Sequence, residues 1–326
     1  MLERIMRAFV INKPTKAEDV KLTDNPIPQV KSGWVLVKVR TFGLNHSEQI
    51  LRLQEINEPY IKKPVIPGIE CVGEIVDASD SHFTLGQKVI ALMGGMGRSF
   101  DGSYAEFALL PMHHVFSVES ELTWEELGAI PETYFTAWGS LVESLHLRGG
   151  DRLLIRGATC ALGYAAISLA KAMGASVIAT THREKKSALL EETGADEIIL
   201  DDSSLKGKIP FVDKALELVG AKTLLDTMQV IKPGSQAYVC CTGILGGIYA
   251  LDAFDPIKDI PNGVYLTGFF SNYPTQKVID DIFRFIAEKK IKPKIGKVYD
   301  FDNLREACLA QDSGKVSGKI VVRVPL

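Results

Sequence analysis

Two rhythms of apolar and polar positions divide this chain. Up to Leu122 the runs are short and strand-like. Val35-Leu36-Val37-Lys38-Val39 is the clearest, followed by Cys71 to Val76, Lys88 to Leu92 and Tyr104 to Leu110. Glycine and proline punctuate them at Pro64, Pro67-Gly68, Gly73, Gly86, Gly94-Gly95 and Gly102. That pattern predicts a mostly β domain of partly barrel-like form. At Thr123-Trp124-Glu125-Glu126 the pattern changes, with a threonine and a glutamate three residues on marking a helix start. Helical patterns then follow near Arg183 to Thr193, Ala221 to Val230 and Thr275 to Lys290. They alternate with strand-like runs at Glu197 to Leu200, Ala215 to Leu218, Ala237 to Cys241 and Val264 to Phe270. Alternation of this kind predicts a doubly wound parallel sheet. The tail, Gly318-Lys319-Ile320-Val321-Val322-Arg323, returns to β character. It is expected to rejoin the first domain, with the α/β domain inserted between.

Within the second half, Asp151 to His182 is the most informative stretch. Leu153-Leu154-Ile155 leads into Gly157-Ala158-Thr159-Cys160-Ala161-Leu162-Gly163. A helical face follows at Leu162, Ala165, Ala166, Leu169 and Met173, then a second apolar run, Val177-Ile178-Ala179. Strand, tight turn, helix and strand make the front half of a dinucleotide-binding βαβ unit. Small side chains in the turn let backbone N–H groups approach a pyrophosphate, and the helix directs its positive end there. Ala158 and Cys160 stand in the first two places of the usual GxGxxG, aligned on Gly163.

Composition narrows the function classes. With 326 residues, two domains are expected. A net charge of -3 gives no footprint for nucleic acid. No apolar run reaches the roughly 20 residues of a membrane helix. MLERIMRAFVIN shows no signal-peptide core, and the five scattered cysteines suit reduced thiols, so a cytoplasmic protein is expected.

Six segments, in order, resemble the medium-chain dehydrogenase/reductase superfamily, and more narrowly its zinc-independent quinone oxidoreductase branch. They are Gly43-Leu44-Asn45, the run Pro67 to Val76, Gly86-Gln87-Lys88-Val89, Gly102 to Glu106, Pro131 to Trp138 and the βαβ unit. The resemblance implies a GroES-like catalytic domain over residues 1–127, completed by 290–326, and a Rossmann domain over 128–289. It also implies NAD(P)H-dependent reduction of quinones, enones or related carbonyl compounds, and a homodimer.

Zinc is not expected. Where zinc enzymes of this superfamily carry ligands, the chain has Asn45, Ile69 and Glu132. Isoleucine cannot ligate, and an amide is a poor zinc ligand. Glu70 matches a glutamate that does not chiefly bind the metal. Met93 to Asp101, where a structural zinc lobe would lie, has no cysteine. His46 adjoins Asn45, and His113-His114 adjoins a strand end where successive side chains diverge. All three are read as surface or loop histidines.

The end of the second Rossmann strand bears on the cofactor. Thr181 stands where an acid would bind the ribose hydroxyls of NAD. His182 and Arg183 follow, then Glu184, Lys185 and Lys186. Arg183 offers a planar fork to a 2′-phosphate, and Lys186 or Lys185 a point charge, so NADPH is expected. Glu184 argues the other way. Cys241-Thr242-Gly243 and Phe269-Phe270-Ser271 end two further strands, at the place where such sheets hold ligands. Cys240 and Cys241 are read as packing residues on opposite strand faces. The resemblance places Thr136 near the cofactor phosphates and Lys319 near the cofactor, although Lys319 also reads as an edge-strand surface lysine. Asn45 is the leading catalytic candidate, because its amide can bond a carbonyl or orient the cofactor amide. Tyr134 is the second, with a core role as its alternative. Loops Gln49 to Tyr60 and Met93 to Phe100 are expected to line the substrate pocket. An alkenal or enoyl reductase, or a non-catalytic NADPH-binding protein, fits the same residues.

Overall fold

The computed structural model describes residues 4–234 and 236–325. The chain folds as two compact units, Met1–Glu132 with Asn272–Leu326, and Thr133–Ser271.

The first unit is built on a seven-stranded sheet. Its path runs Ile295–Asp300, Lys319–Arg323, Trp34–Gly43, Glu70–Asp77, Lys88–Leu92 and Val115–Ser117. Phe107–Pro111 also pairs with Trp34–Gly43. Along Trp34–Gly43, Val35, Val37 and Val39 point into the core and are fully buried. They pack with Phe42, Tyr104 and Phe301 in one apolar cluster. The tail rejoins this unit as expected. Lys319–Arg323 runs parallel to Ile295–Asp300 and antiparallel to Trp34–Gly43. It is therefore an interior strand, and Lys319 is not an edge-strand surface lysine.

The unit boundaries differ from the sequence reading at 127 and 290. The helix Gln276–Lys289 belongs to the first unit. Its first residue explains this. Gln276 clasps the backbone of Ser117, accepting from its N–H at 3.0 Å and donating to its carbonyl at 2.9 Å. The expected loop Gln49 to Tyr60 is also corrected. It opens in a helix, His46–Leu53, and a 3₁₀ turn, Glu55–Asn57. Asn45 and Glu48 start that helix as Thr123 and Glu126 start theirs, with the Glu48 carboxylate accepting the Asn45 N–H at 2.9 Å. His113 and His114 do not diverge either. They share a 3₁₀ turn, with ring centroids 4.5 Å apart.

The second unit is a six-stranded parallel sheet. Its order is Glu197–Leu200, Ser176–Thr181, Arg152–Arg156, Lys214–Glu217, Ala237–Cys241, Val264–Gly268. Numbered along the chain this is 3-2-1-4-5-6, the Rossmann order, with its switch point between Arg152–Arg156 and Lys214–Glu217. The last strand stops at Gly268, two residues before the expected end. The helical pattern at 183–193 splits into a 3₁₀ turn, Glu184–Lys186, and a helix, Ser187–Glu192.

One buried ion network fastens this sheet. Arg156, fully buried, ends the first strand. Its guanidinium donates to both oxygens of Asp201 at 2.8 and 3.0 Å, and to Asp226 at 2.7 Å. Thr227 Oγ1 takes a further bond at 3.0 Å. Removing one partner of such a network strands buried charge on the other. Arg156→Met should therefore cost about 3–5 kcal/mol in urea unfolding. A loss under about 1 kcal/mol would place the sheet's anchor elsewhere.

Candidate functional site

In the second unit, the turn of the βαβ element explains its departure from GxGxxG. The left-handed backbone falls on Gly157, with φ of +81°. Its N–H donates to Thr180 Oγ1 at 3.0 Å. The close approach falls on Gly163, where a Cβ would lie 2.1 Å from the Ala158 carbonyl oxygen. Ala158 and Cys160 carry neither demand, so small side chains serve there. Cys160 is extended (φ -125°, ψ 168°) and caps the helix Ala161–Ala172, its Sγ accepting the Gly163 N–H at 3.4 Å. Ala161 and Leu162 begin that helix, half-buried, where the first backbone N–H groups have no intrahelical partner.

The second strand ends beside this turn. Thr181 is buried, and its Oγ1 accepts the Arg183 N–H at 3.0 Å and lies 3.5 Å from Thr159 Oγ1. Arg183 Nε donates to His182 Nε2 at 3.1 Å. Burial pulls the His182 pKa down, and Arg183 and Lys186 push it further. Burial and Arg183 likewise lower that of Lys186, whose charge in turn acts on the Cys160 thiol. Two cations, Arg183 and Lys186, thus stand beside a neutral imidazole at the turn, an arrangement that favours an anion. At this end of the sheet Asp201 accepts from Thr180 Oγ1 at 3.3 Å and is committed to Arg156.

Further along the sheet, Thr242 Oγ1 donates to the Phe269 carbonyl at 3.2 Å and lies 3.1 Å from Ser140 Oγ. Gly243 passes close to Leu218, whose carbonyl oxygen is 2.1 Å from where a Cβ would stand. The Phe269 ring fills the notch over Gly139, at the start of a π-helical segment, Gly139–Ser144, that sequence reasoning missed. Phe270 is exposed, and Ser271 and Thr136 are buried. Cys240 is buried and Cys241 half-buried on alternate faces, as packing residues should be. Tyr134 is buried, and burial raises its phenol pKa, which counts against a role as proton donor.

The first unit brings Asn45 and Lys319 together, 274 residues apart in sequence. Lys319 Nζ donates to Asn45 Oδ1 at 2.6 Å and lies 2.6 Å from Glu70 Oε1. The Lys319 and Glu70 side chains are 2% and 0% exposed. Asn45 Nδ2 donates to Glu70 Oε1 at 2.8 Å and to Glu48 Oε1 at 3.3 Å. The second Glu70 oxygen accepts the Glu132 backbone N–H at 2.7 Å. Glu132 thus meets Glu70 through its main chain. Gly43 makes room, since a Cβ there would lie 2.2 Å from Lys319 Cε and 2.6 Å from Glu70 Oε1. His46 stands aside, bonded to Gln49 at 2.7 Å. Arg98, from the loop after Leu92, holds Ser47 and Glu55 at 2.9 and 2.6 Å.

Sequence reasoning did not find Glu48. Its signal was the Asn-x-x-Glu spacing from Asn45. Both Glu48 oxygens are occupied, one by the Asn45 N–H and one by the Ile69 N–H at 3.1 Å together with the Asn45 amide. Burial, with the charge of Glu70 added, pushes its pKa up to about 7 against the pull of Lys319.

With this geometry in place, comparison with known proteins is specific. The family model of alcohol dehydrogenase GroES-like domains matches residues 31–120, and that of zinc-binding dehydrogenases residues 193–322. Quinone oxidoreductase of Pongo abelii is 30% identical over 226 residues, 68% of this chain and 64% of that protein. The matched part thus spans just under two thirds of that relative's length. Quinone oxidoreductase of Rattus norvegicus is 26% identical over 336 residues, 98% of each chain. The crystal structure of AibC superposes with a TM-score of 0.85 at 25% identity, covering 100% of this chain and 97% of that one. The chain belongs to the medium-chain dehydrogenase/reductase superfamily, a superfamily of oxidoreductases, within its quinone oxidoreductase branch. Its units are accordingly a GroES-like domain and a Rossmann domain.

The raised pKa of Glu48 has a signed consequence. The folded state keeps this proton to a higher pH than the unfolded chain, whose carboxyl titrates near 4.5. Stability should therefore fall as pH rises from about 4.5 to 7, by about 3 kcal/mol, and stay lost above. Urea unfolding of wild type and Glu48→Gln across pH 4 to 8 checks this. The wild type should lose stability relative to the variant by that amount, and parallel curves would contradict it.

Proposed function

We propose that this protein is an NADPH-dependent oxidoreductase that reduces quinones or other conjugated carbonyl compounds by hydride transfer without zinc. The observation that carries the proposal is the repulsion between Arg183 and Lys186 at the end of the second Rossmann strand, beside His182 and with Thr181 in the acid's place. An adenine-ribose 2′-phosphate relieves that repulsion, whereas an NAD ribose does not. The N–H groups of the turn from Ala158 to Gly163 would bind the pyrophosphate. When bound, the nicotinamide supplies the hydride.

The residues do not fit a catalytic zinc. The side chains at the ligand places are an amide, an isoleucine and a glutamate, and an ammonium already lies against Asn45 and Glu70. Conjugated acceptors suit such a site. An added hydride leaves charge that spreads onto oxygen and can be met by a few hydrogen bonds. Simple alcohols lack that advantage. The same reading takes the protein as a cytoplasmic homodimer without a nucleic-acid or membrane partner. Among the described residues no helix is long and apolar enough to cross a membrane.

NADPH oxidation across benzoquinones, naphthoquinones, alkenals and simple alcohols tests the proposal. Turnover is expected with quinones, and carbon–carbon saturation of alkenals instead would mark an alkenal or enoyl reductase. Rapid alcohol oxidation, or NADPH binding with no turnover of any acceptor, would overturn the reaction. Arg183→Ala should weaken NADPH by about 10- to 150-fold and leave NADH nearly unchanged. Equal weakening of both would overturn the cofactor assignment.

A further inference from the structure

We propose that the Lys319 ammonium is a built-in cation that holds the place of a metal ion and sets the orientation of Asn45. Two negative or partly negative oxygens, Glu70 Oε1 and Asn45 Oδ1, converge on one point, and Lys319 Nζ lies 2.6 Å from each. A divalent cation at that point would face the ammonium at the same short range, so the cluster admits one or the other. The ammonium is tethered and cannot be chelated away. The fold makes room for it specifically. Its stem crosses Gly43, where any Cβ would collide with Lys319 Cε, and its strand is interior to the sheet.

The tether also decides what Asn45 can do. With its oxygen toward the ammonium, the amide turns its nitrogen to Glu70 and Glu48, at 2.8 and 3.3 Å. Both N–H donors are then committed to carboxylates. The amide oxygen accepts from Lys319 and retains a second lone pair. Asn45 therefore works as an acceptor, for an N–H or O–H of the cofactor or substrate, and not as a donor to a substrate carbonyl. Lys319 is a positioning residue in this scheme. It acts through Asn45, and that clause rests on the oxidoreductase reading above, whereas exclusion of metal does not.

The test uses Lys319→Met, Glu70→Gln and the two combined. Each single variant should lower the melting temperature, Lys319→Met by about 10 °C, because it leaves a buried carboxylate without its counter-charge. The combined variant should recover most of that loss, and additive losses would overturn the pairing. Dialysis of the wild type against Co²⁺ should leave no stoichiometric metal and no visible ligand-field bands, and one bound equivalent lost in Asn45→Ala would overturn the proposal. Finally, Asn45→Ala should cost about 10-fold or more in turnover in the wild type but under about 3-fold in the combined variant. An equal cost in both backgrounds would make Lys319 merely structural. If no acceptor is turned over at all, the oxidoreductase reading fails, and the melting and cobalt measurements still decide the cation.

Discussion

A lysine and a glutamate buried together in the first unit constrain much of what surrounds them. Taking an ammonium and a carboxylate out of water costs several kcal/mol for each ion, recovered only where geometry and further hydrogen bonds are good. Here the further bonds are present. Glu70 accepts from Lys319, from the Asn45 amide and from the Glu132 N–H. The pair also explains features that otherwise have no common cause. Gly43 must lack a side chain. The C-terminal strand must lie inside the sheet beside the strand that carries Gly43. The chain end must therefore return to the unit it left at Glu132. Glu48 is buried beside Glu70, and burial first, with the charge of Glu70 added, pushes its pKa up.

The second unit solves a related problem differently. Arg156 is buried at the head of the dinucleotide turn and spread over two carboxylates, so that its charge is fully used. That leaves Asp201 committed to the arginine, although it stands at the end of the sheet where an acid could bind a ribose. Arg156 holds the sheet, and Arg183 and Lys186 crowd the turn.

The fold was legible in the chain wherever periodicity was strong. The strands at Lys88–Leu92, Glu197–Leu200 and Ala237–Cys241 stand where the pattern put them. The elements missed were short or masked by polar residues. The helix His46–Leu53 carries few apolar positions, and its start is marked only by Asn45 and Glu48. The candidate site was legible in part. Residue types at fixed places identified the strand, tight turn and helix, including the tolerance of Ala158 and Cys160. Lys319 was open between two readings, because strand periodicity does not say whether a strand has one neighbour or two. The commitment of both Asn45 N–H groups was not legible at all. It depends on carboxylates 3 and 25 residues away that converge only in the folded unit.

The central claim is that an ammonium, not a metal, stands between Glu70 and Asn45. Anomalous diffraction at the zinc edge tests it most directly, on crystals of protein produced and crystallised with excess zinc. The account predicts no anomalous peak between Glu70 and Asn45, with Lys319 Nζ in ion-pair contact with Glu70. A zinc peak at that point, with the lysine displaced from both partners, would contradict it.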